Sequence, residues 1–89
     1  MARRIPIISY NEELSNKKSK VYKSLVEGVS EAIKTDKKEI KLFEVKNSNT
    51  YLTVHKDNWS SSLANALNFY IEQEEYEKCS KIKNLINEI

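Results

Sequence analysis

The sequence predicts a small α+β protein in which a β-hairpin is flanked by helices. Two observations lead to this prediction. Apolar residues recur every three or four positions in two long stretches, one ending near residue 34 and one starting near residue 59. Between them lie two short segments with the composition of strands, separated by the turn-forming cluster Asn47-Ser48-Asn49. We therefore expect the order α-β-β-α, with the C-terminal helix either continuous or bent into a helical hairpin.

The first helix is predicted from Ser19 to Lys34. Its apolar side chains fall on one stripe, formed by Tyr22, Leu25, Val26, Val29, Ala32 and Ile33. Gly28, the one glycine of the chain, lies inside this helix, where glycine costs roughly 1 kcal/mol relative to alanine. Either a neighbouring element packs closely against Gly28 or the residue is an accident of drift.

The hairpin is predicted from residues 39–46 and from Thr50 to His55, which is rich in β-branched and aromatic residues. In the first strand, alternation places Ile40 and Leu42 on one face and Phe43 on the other. The aromatic rings on or beside the hairpin are interpreted as core. The alternative is an exposed platform that stacks nucleobases, using Phe43 and Tyr51 with Lys41 and Lys56 nearby.

The C-terminal region carries a second helical pattern that begins after Asp57-Asn58, a potential N-cap. One stripe contains Trp59, Leu63, Ala66, Leu67 and Tyr70. After the polar run 72–75 the stripe resumes with Tyr76, Cys79, Ile82, Ile86 and Ile89. The pattern allows one long helix or a hairpin bent near Gln73–Glu75.

Residues 1–16 are predicted to be a flexible basic arm that precedes a single domain of residues 17–89. Pro6 between Ile5 and Ile7 limits this segment to extended backbone. It could be a loose arm or a short strand that orders against a partner.

Composition limits the chain to one domain with a thin core, since it has 89 residues of which 39% are apolar. The single cysteine, Cys79, cannot form an intramolecular disulfide, and no Cys/His set is present to hold zinc. We therefore expect no cofactor and no metal, and stabilisation by a partner subunit or another protein. The sequence contains no apolar run of about 20 residues and no signal-peptide pattern, so we expect a cytoplasmic protein without membrane contact.

Catalytic chemistry is not indicated by the residues that could support it. His55 lies two residues before Asp57, but without a nucleophile nearby this spacing indicates an exposed residue at a strand end. Cys79 falls on an apolar helix face, where cysteine packs as a small hydrophobic residue. The carboxylates of 72–77 fit a solvated helix surface better than a cation site. We therefore expect a protein that is not an enzyme.

The C-terminal segment resembles a known motif. Tyr76-Glu77, the small pair Cys79-Ser80, and Ile82-Lys83-Asn84 followed by Ile86 and Ile89 resemble the second helix of the UVR motif. Leu63, Ala66, Leu67, Ile71 and Glu74-Glu75 resemble its first helix and bend, so the likeness covers residues 60–89. Lys83 replaces the usual Arg, Asn84 the usual Asp, and Cys-Ser the usual Ala-Ala. The resemblance implies a helical hairpin for protein–protein contact, as in subunits of the excision-repair nuclease and in adaptors of Clp-type proteases.

The leading functional hypothesis is a small adaptor or accessory protein that binds another protein through its C-terminal helices, with a homodimer as one form of that contact. The predicted contact residues are Tyr70, Tyr76, Cys79, Ile82 and Ile86, which could instead face the protein's own sheet. The small size and the many lysines and asparagines would also suit a phage or mobile element.

The alternative hypothesis is a nucleic-acid-binding accessory protein. Residues 1–41 contain ten Lys/Arg and six Asp/Glu, whereas residues 42–89 contain five and seven. The first part is therefore the basic one, and such a segment could contact phosphate backbones. The residues assigned to this role are Arg3, Arg4, Lys17, Lys18, Lys20 and Lys23.

Overall fold

The computed structural model describes residues 5–8, 14–46 and 50–89. The elements along these residues are β1 (Ile7–Ile8), α1 (Leu14–Thr35), β2 (Glu39–Val45), β3 (Thr50–His55), a short 3-10 helix (Lys56–Asn58), α2 (Trp59–Glu72) and α3 (Tyr76–Glu88). The predicted α+β class with a β-hairpin between helices is confirmed. Of the two C-terminal alternatives, the structure has two helices, α2 and α3, in place of one long helix.

The sheet has three strands in the order β1-β2-β3, so β2 is central. β1 runs parallel to β2, with Ile7 opposite Glu44, and the Glu44 N–H donates to the Pro6 carbonyl at 2.9 Å. β3 runs antiparallel on the other side of β2. The N-terminal segment therefore contributes a short strand paired with the chain's own sheet. Arg3 and Arg4 lie outside the described residues, as does the predicted turn at residues 47–49.

A β-bulge shapes the centre of the hairpin. Lys41 is opposite Thr53, whereas Phe43 is opposite Leu52, so Leu42 is the extra residue of β2. Leu42 is buried, and Phe43 is partly buried against the same core. The prediction that Phe43 lies on the face opposite Leu42 is therefore wrong, because the bulge interrupts the two-residue alternation of the strand.

One side of α1 packs on the sheet through small side chains. The hydroxyl of Ser24, which is buried, donates a hydrogen bond to the carbonyl of the bulge residue Leu42. Gly28 is also buried and lines a cleft together with Ile40 of β2. Because glycine has no Cβ, the helix backbone can approach the strand closely at this position.

The opposite side of α1 packs on the helical hairpin. At 100° per residue, Tyr22, Val26 and Val29 lie across the helix axis from Ser24 and Gly28. Val26 and Val29 are buried, and the Tyr22 ring centroid lies 5.1 Å from that of Phe69 in α2. Helix α1 is therefore packed on two sides, against β2 and against the hairpin of α2 and α3.

Among the described residues, one core is shared by α1, β2, α2 and α3, with the partly buried Val54 of β3 packed against it, and most of the predicted stripes contribute to it. Its buried apolar members are Leu25, Val26, Val29, Ala32, Ile40, Leu42, Trp59, Leu63, Ala66, Tyr70, Cys79, Ile82 and Leu85. Trp59 is 1% exposed, and its indole N–H donates to the Val54 carbonyl at 3.1 Å, which ties the end of β3 to the start of α2.

Two details differ from the sequence-based expectations. Helix α1 begins at Leu14, five residues before the predicted Ser19, since the early turns contain only polar residues after Leu14 and give no apolar period. In α3 the core includes Leu85, which was not on the predicted stripe, whereas Ile86 is only partly buried.

The contact between Ser24 and the β-bulge gives a testable prediction. Ser24→Ala leaves the Leu42 carbonyl without its hydroxyl donor in a buried position, so we expect the free energy of unfolding to fall by about 1–2 kcal/mol. Urea denaturation followed by circular dichroism measures this. Ser19→Ala, on the same helix but exposed, is the matched control and should change stability by less than about 0.5 kcal/mol. Equal effects for the two variants would contradict the assigned role of Ser24.

Candidate functional site

The turn between α2 and α3 is closed by backbone hydrogen bonds. The Glu75 N–H donates to the Tyr70 carbonyl at 3.0 Å, and the Glu74 N–H donates to the Ile71 carbonyl at 3.1 Å. This pair of bonds is the Schellman arrangement that ends a helix, and it requires a left-handed residue at its centre. Glu74 adopts that conformation, with φ of 58°. The result is a sharp reversal of the chain that presents the residues on either side of it at one end of the molecule.

The surface at this turn combines exposed apolar and acidic side chains. Ile71 at the end of α2 is 47% exposed, and Tyr76 at the start of α3 is 64% exposed. Exposed carboxylates surround them in sequence, from Glu72, Glu74, Glu75 and Glu77. We call this set, Ile71, Glu72, Glu74, Glu75, Tyr76 and Glu77, the hairpin tip.

Most of the residues predicted to contact a partner lie inside the chain's own core. Tyr70, Cys79 and Ile82 are 1%, 6% and 0% exposed, respectively. In this fold their side chains pack within the monomer, which is one of the two alternatives that the sequence leaves open. Ile86 is partly buried against that core. Tyr76 alone of the five is largely exposed.

Ile71 belongs to the hairpin tip but was not among the predicted contact residues. It follows Leu67 by one helical turn, at the border of the α2 stripe, and a border position can face either the core or solvent. Ile71 is exposed here, and it lies beside the turn because α2 ends at Glu72, the next residue.

Tyr70 lies beneath the hairpin tip in a partly charged environment. Burial raises the pKa of Tyr70 to about 12, and the negative charges of Glu75 and Glu27 act in the same direction. Lys78 lies close to both groups: its Nζ is 5.0 Å from the centroid of the Tyr70 ring and 3.2 Å from Oε1 of Glu75. The ion pair between Lys78 and Glu75 is exposed and contributes little to stability.

Four of the six basic residues assigned to nucleic-acid binding lie among the residues that the structure describes. Lys18, Lys20 and Lys23 are exposed on the first half of α1, and Lys17 is partly exposed. Lys20 and Lys23 line a groove between β1 and α1, and Glu27 lines the same groove. A carboxylate at this place lowers the local positive potential. Arg3 and Arg4 lie outside the described residues.

The proposed nucleobase platform is not assembled on the hairpin. Phe43 and Tyr51 belong to successive cross-strand pairs, with Leu52 and Glu44 respectively, so their rings lie on opposite faces of the sheet. Phe43 packs against the core, whereas Tyr51 is 43% exposed with Lys41 Nζ 4.7 Å from its ring centroid. One exposed ring cannot stack a run of bases in the way that such platforms do.

His55 and Asp57 form a local cap. The Nδ1 atom of His55 accepts a hydrogen bond from the Asp57 N–H at 3.3 Å and lies 3.4 Å from Oδ2 of Asp57. These two contacts need Nδ1 unprotonated and protonated, respectively, so only one operates at a time. Both side chains are exposed, and the arrangement positions the start of the 3-10 helix.

Within the described ranges, no group of three or more His, Cys, Asp or Glu side chains is arranged to hold a metal ion. The helices of the same ranges include none that is both long and apolar enough to cross a bilayer. Comparison with models of protein families, with curated proteins and with solved structures yielded no match to this chain. The resemblance of residues 60–89 to the UVR motif therefore stays a prediction.

The raised pKa of Tyr70 predicts how stability depends on alkaline pH. The neutral phenol is favoured in the folded state, so its contribution is complete below the ordinary pKa of 10 and is lost as the pH rises from 10 to about 12. Across that interval the wild type should lose roughly 2–3 kcal/mol more than Tyr70→Phe, which has no phenol proton at this position. Urea denaturation of both proteins at a series of pH values measures the difference. Parallel pH dependences would contradict the buried environment assigned to Tyr70.

Proposed function

We propose that this protein is a small non-enzymatic adaptor or accessory protein that binds another protein through the tip of its C-terminal helical hairpin. The observation that carries this proposal is the exposure of Ile71 and Tyr76 beside the turn, 47% and 64% respectively. Aromatic side chains are enriched among the residues that dominate binding energy in protein interfaces. Tyr76 can bury its ring in a partner while its hydroxyl remains at the rim.

The charge around these two residues defines the partner's chemistry. Four exposed glutamates flank the apolar pair, and one of them, Glu75, has the Nζ of Lys78 at 3.2 Å. A complementary surface would offer an apolar recess ringed by Lys or Arg side chains. Such a rim speeds association and fixes orientation, while the apolar centre supplies most of the affinity. Binding should therefore weaken moderately as salt increases.

The proposed contact set differs from the set predicted from the sequence. Tyr76 stays at its centre and Ile71 joins it, whereas the buried Tyr70, Cys79 and Ile82 act by holding α3 against α2. The same hairpin architecture is what the UVR resemblance implies, and that agreement supports the proposal without identifying a partner or a pathway.

A photo-crosslinking experiment tests the proposal. A benzoylphenylalanine in place of Tyr76 should capture one partner from cell lysate, whereas the same group in place of the exposed Ser60 should not. The captured protein is then purified, and its affinity for the wild type is compared with that for Ile71→Ala/Tyr76→Ala. We expect the double variant to bind at least about tenfold more weakly, since truncating a central aromatic residue of an interface costs about 2 kcal/mol or more and about 1.4 kcal/mol corresponds to a factor of ten.

Asn65→Ala/Asn84→Ala is the matched control, because it changes one exposed residue on each helix of the hairpin away from the tip. It should bind as the wild type does, and circular dichroism should show all variants folded. Equal binding by the two double variants would contradict the proposal. Capture that disappears after nuclease treatment, with affinity falling steeply with salt, would favour the nucleic-acid alternative and its lysines on α1.

A further inference from the structure

The outer strand β3 has properties that edge strands usually avoid. Five of its six residues are exposed, including Tyr51 at 43% and Leu52 at 48%. Among the described residues, no strand pairs with its outer edge, since the sheet order ends at β3. Edge strands are normally protected by lysines, prolines or short length. β3 contains no Lys, Arg, Asp or Glu, whereas the central strand β2 carries Glu39, Lys41 and Glu44.

The hydrogen bonds of the sheet show which backbone groups face the open edge. The Lys56 N–H donates to the Lys38 carbonyl at 2.7 Å, which makes 38/56 a hydrogen-bonded pair. Because such pairs alternate with non-bonded pairs in an antiparallel ladder, Thr53 belongs to a non-bonded pair with Lys41. Its backbone N–H and C=O therefore point away from β2.

A hydrogen bond at the other end of β3 independently indicates the same alternation of hydrogen-bonded and non-bonded pairs. Glu44 is opposite Tyr51, and the Glu44 N–H is directed away from β3, to the carbonyl of Pro6, the residue that precedes β1. The pair of Glu44 and Tyr51 is thus also non-bonded, and Tyr51 turns its backbone groups outward. Tyr51, Thr53 and His55 therefore lie along the open edge at every second position.

We infer that the open edge of β3 pairs in antiparallel orientation with β3 of a second copy of this chain, forming a two-fold symmetric dimer with a continuous six-stranded sheet. In such a pair the two-fold axis is perpendicular to the sheet, so one residue of β3 must lie opposite the same residue of the second copy. Centring the pair on Thr53 uses all three outward residues: Thr53 lies opposite the second copy's Thr53, and Tyr51 opposite its His55. Up to about six backbone hydrogen bonds can form in this register.

The side chains that meet in this register are compatible with one another. Leu52 lies opposite the second copy's Val54 on the helix-bearing face, so an exposed leucine gains an apolar neighbour. On the other face, the ring of Tyr51 meets the second copy's imidazole, and the two threonines meet at the axis. Such aromatic, β-branched and Thr–Thr pairs stabilise antiparallel strands. No like charges face each other across the axis, because β3 carries no charged residue.

A second copy satisfies this edge better than an unrelated strand for two reasons. The pattern is self-complementary about Thr53, and the two-fold operation places both helical layers on the same face of the extended sheet. The hairpin tip is formed by other residues, so dimerisation does not depend on the proposed adaptor function. A six-residue edge buries less area than a standard interface of about 1,200–2,000 Å², so the dimer should be weak and concentration-dependent.

Sedimentation equilibrium from micromolar to millimolar protein tests this inference with Thr53→Lys. This variant opposes two lysines at the symmetry axis and should raise the dimer dissociation constant at least about tenfold. Ser60→Lys adds the same charge at an exposed position on α2 and should leave the constant within about twofold. A wild type that remains monomeric up to about 1 mM, or a dimer equally stable in both variants, would overturn the inference.

Amide hydrogen exchange of the wild type by NMR provides a readout that needs no variant. The amides of Tyr51 and Thr53 should become more protected as protein concentration rises through the dissociation constant. The amides of Leu52 and Val54, which already face β2, should change far less. Protection that increases at Leu52 and Val54 but not at Tyr51 and Thr53 would overturn the edge-pairing geometry even if a dimer forms.

Discussion

The packing of α1 on two sides is the constraint on which the rest of this structure depends. The helix connects the parallel strands β1 and β2, so it must cross the sheet, and its Ser24 and Gly28 allow it to do so at close range. Across the helix axis, Val26 and Val29 are buried toward the hairpin of α2 and α3. Without α1, the sheet and the hairpin would be joined mainly through Trp59, whose indole bonds the Val54 carbonyl.

The sequence predicted the elements that have a clear hydrophobic period. The α1 and α2 stripes agree with the structure because each of them buries one continuous face. The two strands agree to within one residue because β-branched and aromatic residues and the turn-forming cluster at 47–49 mark their ends. The exceptions have local physical causes. The bulge at Leu42 turns Phe43 toward the core, and a bulge leaves no mark in a simple two-residue alternation. The early start of α1 was missed because its first turns contain polar residues that have no period to detect.

The candidate site was harder to predict than the fold. Sequence periodicity identifies an apolar stripe but does not say whether the chain itself or another protein covers it. Tyr70, Cys79 and Ile82 belong to such a stripe, and the chain's own helices cover them. Ile71 and Tyr76 are exposed instead. The turn closed by Glu74 and Glu75 places Ile71 near the end of α2 and Tyr76 at the start of α3. The turn depends on a left-handed glutamate at position 74, where a sequence-based prediction would look for glycine.

Native-state hydrogen exchange under increasing urea tests the central role of α1 most directly. If α1 joins the sheet and the hairpin into one core, then the amides of Leu25 and Val29 should exchange only through global unfolding. The amides of Leu63 and Ala66 in α2 should then show the same free energy of exchange and the same urea dependence. If the α2 amides stay protected at urea concentrations where those of α1 exchange freely, the hairpin folds without α1, and α1 does not join the sheet and the hairpin into one core.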